Sequence, residues 1–211
     1  MQTDMTVGKP MKMILDFTIP VFIGNVFQQF YNMADAIIVG KFVGTKGLAA
    51  VGSTGTIMFL IIGFLMGLTA GFTVLTSQKF GAGKMDEMRQ SVGNAGLLSI
   101  IISVIMTIGS MVGMRSLLTL MNTPEDIFQD AYTYIMIICG GIFAQVLYNI
   151  LASILRALGN SKTPLYFLIL AALLNIVLDL VFIIVFHMGV AGAAWATITA
   201  QGVSGVLCLV Y

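Results

Sequence analysis

Asp35 and Asp179 stand apart from the other acidic residues because each lies inside a long apolar run. The rest, Asp4, Asp16, Asp86, Glu87, Glu125, Asp126 and Asp130, fall at or near expected loops or helix ends. An ionised carboxyl at bilayer depth costs about 2.5 to 3.5 kcal/mol on insertion scales, so it normally faces a protein interior or a wet cavity. There it can bind and release a small cation, and two carboxyls in one site can hold a proton between them. Further polar groups share the faces of these acids. On one helical face, Asn25, Gln28, Asn32 and Asp35 lie within about 80° of one another at 100° per residue. Asn175 precedes Asp179 by one helical turn. Tyr134, Gln145, Tyr148 and Asn149 form a comparable group in a later apolar run, and Thr197, Gln201 and Ser204 in the last. For Asn25, Gln145 and Ser204 the expected role is hydrogen bonding that fixes helix packing. For the two acids it is ion binding, since Asn would pack as well without the cost of ionisation.

These residues must be positioned by membrane helices. Of the 211 residues, 58% are hydrophobic and only 9% charged, whereas soluble domains carry about 25% charged residues. A spanning helix needs about 20 mostly apolar residues. Six spans are expected, at approximately 14–42, 47–76, 91–113, 125–155, 165–186 and 190–211. All should be helical, because strand-like alternation is absent and lipid offers no partner to an unpaired backbone amide. Thr123-Pro124-Glu125-Asp126 predicts a capped start for the fourth helix, and Gly159 to Pro164 a tight stop-and-start before the fifth. Gly81 and Gly83 end the second. Asp35 lies about seven residues, or roughly 10 Å, from the end of the first span, and Asp179 lies at a matching depth in the fifth. The two acids could therefore meet in one pocket bounded by helices one, four, five and six.

Orientation follows from the basic residues. Lys9, Lys12, Lys79, Lys84, Arg89, Arg156 and Lys162 fall on one side, against Lys41, Lys46 and Arg115 on the other, which favours a cytoplasmic N-terminus. The opening twelve residues lead into a first helix retained as a permanent span, since no small-residue cleavage signature follows it. Pro20 predicts a bend in that helix. Gly63, Gly67 and Gly71 share a face of the second helix and predict close packing within the bundle. Asp35 and then Gly47 to Gly52, and Asp179 and then Gly189 to Ala194, repeat one layout: an acid, a turn and a returning helix of small residues.

Other chemistries lack residues. The net charge of +1 argues against nucleic-acid binding, and His187, the only histidine, falls in an expected turn with no metal or catalytic cluster around it. No nucleotide-binding signature occurs, so neither an enzyme nor direct ATP coupling is expected. Cys139 and Cys208 both lie in apolar runs.

At several stretches the sequence resembles the multidrug and toxic compound extrusion (MATE) family. They are Met33 to Gly40, Gly81 to Gly83, Leu155 to Pro164, Asn175 to Asp179 and Gly189 to Ala194, in the family's order across nearly the whole chain. The resemblance implies an all-α membrane protein whose six transmembrane helices form the N-terminal lobe of a twelve-helix transporter, with the C-terminal lobe as a missing partner. It implies a multi-pass protein of the cell membrane that exports organic cations, drugs or other amphipathic small molecules in exchange for protons or sodium, without a cofactor. By resemblance, Asp35, Asn175 and Asp179 would bind the coupling ion, with Gln28, Tyr134, Asn149 and Thr197 as neighbours; the polar stripes add Asn32 and Gln201 to the same cavity. A lipid-linked oligosaccharide flippase of the same superfamily is a competing reading, disfavoured because no Lys or Arg is expected deep within the spans. A nontransporting membrane scaffold is another, and would tolerate Asn at both acidic positions.

Overall fold

A computed structural model describes residues 10–211, so Lys9, Asp4 and the rest of the opening segment lie outside the described residues. The chain forms helices α1 (Pro10–Phe42), α2 (Thr45–Gly81), α3 (Met85–Leu120), α4 (Glu125–Gly140), α5 (Ile142–Ala157), α6 (Lys162–Leu180) and α7 (Gly189–Val210). A π-helical turn, Val181–Val185, extends α6. There is no strand among the described residues. Five helices are long and apolar enough to cross a membrane, or six spans if the bent pair α4 and α5 counts as one.

That bend corrects one expectation. The fourth span is not a continuous helix over 125–155 but two helices meeting at 47° across Gly140 and Gly141. The break falls at a glycine pair, a usual place for a sharp kink, and a distant helix packs into it. A Cβ on Gly141 would lie 2.3 Å from Ile198 Cγ1, so α7 presses its side chain into a gap that only glycine leaves open. The start of α4 differs slightly as well: Glu125 is its first residue, Pro124 precedes it, and no side-chain hydrogen bond caps it.

Between α5 and α6 the chain turns sharply. Gly159 has φ of 81°, a conformation open to glycine without steric cost. Asn160 then caps α6, its Oδ1 accepting the Thr163 N–H at 3.1 Å while its Nδ2 donates to Thr163 Oγ1 at 2.9 Å.

Three packed groups use the broken helix, the third being Tyr148 and Ala152 of α5 with Leu168 of α6 and Cys208 of α7. Leu65 of α2, Met114 and Leu118 of α3, Ile135 of α4 and Ile142 of α5 build one core. Val39 of α1, Ile138 of α4, Ile183 of the π turn and Val190 and Ala194 of α7 build the second. Large apolar side chains such as Phe59, Ile105, Val112 and Leu173 cover the exterior, a surface suited to acyl chains rather than water. Gly63, Gly67 and Gly71 lie on this exterior. A Cβ at any of them would meet nothing within 4 Å, so the expected packing of that stripe inside the bundle does not occur.

Candidate functional site

Asp35 comes from α1 and Asp179 from α6, one residue before that helix ends. The α1–α6 contact brings Asp35 of α1 against the Asn175 and Asp179 face of α6, and α4 and α7 supply Tyr134 and Thr197 beside them. Asp179 and Asn175 are fully buried. The Asp35 and Asp179 carboxyls approach within hydrogen-bonding reach of each other. Each still has one buried oxygen, Oδ1, without a protein hydrogen-bond partner.

Their surroundings are polar but uncharged. With its amide oriented to satisfy both neighbours, Asn175 donates from its nitrogen to Asp179 Oδ2 at 3.2 Å and accepts the Thr197 N–H at 3.3 Å. Thr197 Oγ1 donates to the Ala193 carbonyl at 3.0 Å. Tyr134 of α4 is buried and lies within electrostatic range of both carboxyls. Tyr31, one turn before Asp35, shares that position, and its buried hydroxyl faces Thr197 without forming a well-aligned hydrogen bond. An α-helical backbone uses its own amides, so little besides these side chains can solvate a charge here. No cluster of three or more His, Cys, Asp or Glu side chains occurs among the described residues.

Of the residues singled out from sequence, the structure brings together Asp35, Asn175, Asp179, Tyr134 and Thr197. Others lie elsewhere. Gln28 and Asn149 line a separate cleft with Asn25, Tyr148 and Arg156, toward the opposite end of the bundle. Asn32 is exposed, because the side of α1 that meets α6 is centred on Asp35 and leaves Asn32 at its edge. Gln201 is buried one turn beyond Thr197, and its Oε1 has no partner. Ser204 donates to the Phe167 carbonyl at 3.1 Å, a packing bond between α7 and α6. The single expected pocket is therefore two polar regions. Tyr31 was missed by the sequence reading, although its place four residues before Asp35 is a signal for a shared helical face. Arg156, expected just beyond the end of the fourth span, belongs to the last turn of α5 and is half-buried.

An apolar-surfaced helical bundle with one acid fully buried and a second half-buried between its helices is a multi-pass membrane protein. The MatE family profile matches residues 20–181, and the chain belongs to that family. It is 35% identical over 208 residues to the probable multidrug resistance protein YpnP of Bacillus subtilis, covering 99% of this chain and 47% of that protein. To the probable multidrug resistance protein NorM of Thermotoga maritima it is 28% identical, covering 94% of this chain and 44% of the relative. The fold matches a solved MOP superfamily transporter from Pyrococcus furiosus with a TM-score of 0.90 at 32% identity, over 95% of this chain and 44% of that one. The chain thus spans about half the length of the relatives it matches, and its fold is that of one lobe of a MATE transporter.

Proposed function

We propose that this chain is the N-terminal lobe of a cation-coupled exporter that moves organic cations, drugs or other amphipathic molecules outward. Coupling occurs at Asp35 and Asp179, with Asn175, Tyr134 and Thr197 holding the acids in place. The observation that carries this reading is the approach of two carboxyls from separate helices in a buried site with no basic side chain beside them. Two such groups attract one another when a single proton lies between them and repel when both are charged. Proton binding would therefore favour a closed α1–α6 contact and proton release a looser one. This supports the proton over sodium as the coupling ion.

The protein sits in the cell membrane with its N-terminus cytoplasmic, a placement supported by the excess of Lys and Arg at the end of the bundle that carries Gly83 and Gly159. A second six-helix lobe completes the transporter, since rocking access needs two bodies around a site.

The test is efflux of a fluorescent organic cation from vesicles under an imposed proton gradient, beside the same assay under a sodium gradient. Asp35→Asn and Asp179→Asn should each reduce gradient-driven efflux to background at normal expression. Undiminished efflux in both variants would remove the mechanism, and efflux that follows sodium alone would replace the ion.

A further inference from the structure

Most cations of this chain have a simple account. Among the described residues, Lys12, Lys41, Lys46, Lys84, Arg89, Arg115 and Lys162 are exposed. Only Lys79 and Arg156 are withdrawn from the surface, and Lys79 is bonded to the Glu87 carboxylate. Arg156 has no such partner.

Its position is defined. Arg156 Nε donates to the Ala152 carbonyl at 3.1 Å, which orients the guanidinium. The two terminal nitrogens have no hydrogen bond or ion pair among the described residues. Arg156 borders two adjoining clefts floored by α5, one against α1 and α6 and the other between α1 and α2. The second has a volume of about 490 Å³. No Asp or Glu lines either cleft.

The neutral groups around it divide by what they already bond. Thr73 and Ser77 donate to the Ala70 and Val74 carbonyls, each at 2.8 Å, and the Tyr148 hydroxyl donates to the Pro164 carbonyl at 3.2 Å. Gln28 lines the first cleft with Arg156 and Ser153 lines the second, and neither makes a side-chain hydrogen bond among the described residues. A guanidinium stays charged at any cellular pH and offers parallel N–H groups that match two oxygens of an oxyanion. A half-buried charge without a counter-charge is unfavourable, and an anion entering the cleft would offset that cost. Phosphate suits the set best, because its remaining oxygens can accept from the uncharged amide and hydroxyl.

We propose that Arg156 forms a binding site for a phosphate group where the two clefts floored by α5 adjoin, with Gln28 as a further donor from the first cleft and Ser153 from the second. The group comes either from a soluble phosphorylated molecule or from the headgroup of an anionic phospholipid. This site is separate from the acid pair and does not depend on ion coupling there.

The test uses the full chain purified in neutral detergent, with thermal unfolding followed by Trp195 fluorescence. One arm compares sodium pyrophosphate with sodium chloride at equal ionic strength. The other compares nanodiscs of phosphatidylcholine alone with nanodiscs containing phosphatidylglycerol. A rise in Tm with pyrophosphate that Arg156→Gln abolishes assigns the site to a soluble phosphate. A rise with phosphatidylglycerol alone, again abolished by Arg156→Gln, assigns it to lipid. Arg156→Lys keeps the charge without the paired geometry and should weaken the effective ligand about tenfold. If Arg156→Gln does not fold, Gln28→Leu and Ser153→Ala are measured instead, and each should weaken it severalfold. No rise with either probe in the unaltered chain overturns the proposal, as does a rise that persists undiminished in the variants measured.

Discussion

The acid site and the Arg156 cleft are both polar regions in apolar helices, yet the bundle treats them oppositely. Around Asp35 and Asp179, helices α1, α4, α6 and α7 close tightly, and Asn175 and Asp179 have no exposed surface. Toward the other end, α1 and α2 part and leave Gln28, Asn149 and Arg156 along open clefts. The difference is one of covering rather than of residue type. A closed polar site can respond only to something as small as a proton or a bare ion, whereas an open one has room for a molecular group.

The largest test of that contrast is functional. Asp179→Asn should leave efflux independent of an imposed pH gradient and near background, whereas Gln28→Leu, in the separate cleft, should leave gradient-driven efflux intact. Equal effects in a vesicle assay would erase the distinction between the two regions. Tyr31→Phe sharpens it further: removing a buried hydroxyl without a well-aligned partner should leave Tm unchanged or slightly raised. A fall of several degrees would show that the hydroxyl is bonded within the closed site.

Next in size is a packing effect at the seam between the regions. Gly141→Ala should destabilise the chain by about 1 to 3 kcal/mol, because the new methyl collides with Ile198. Adding Ile198→Ala should recover part of the loss, and denaturation of the single and double variants measures that coupling. Asn160→Ala, at the open end, removes the cap of α6 and should cost about 1 kcal/mol in the same measurement. The smallest change belongs to Gly67→Ala. With open space at that Cβ, Tm should stay level or rise slightly through better helix propensity.

Much of this arrangement was legible in the residues. The spans could be found because lipid demands long apolar helices, and the stop at Gly159 because a left-handed residue favours glycine. Asp35, Asn175 and Asp179 stood out because carboxyls and amides are costly in that setting and fall at matching depths. Gln28 was misplaced by the same periodicity: it shares a helical face with Asp35 but lies two turns away, where α2 has diverged. Arg156 reads in the sequence only as one more flanking cation; its half-buried place follows from α5 continuing to Ala157 and bordering the clefts against α1, α2 and α6.

Hydropathy and periodicity alone dictated a membrane bundle, its helices and which faces carry polar groups, since these follow from backbone hydrogen bonding in lipid and from 3.6 residues per turn. The seating of Ile198 against Gly141, the meeting of two acids from helices far apart in the chain and the half-burial of Arg156 were decided only by tertiary packing. Each depends on which distant helix lies opposite, and short-range spacing carries no information about that neighbour.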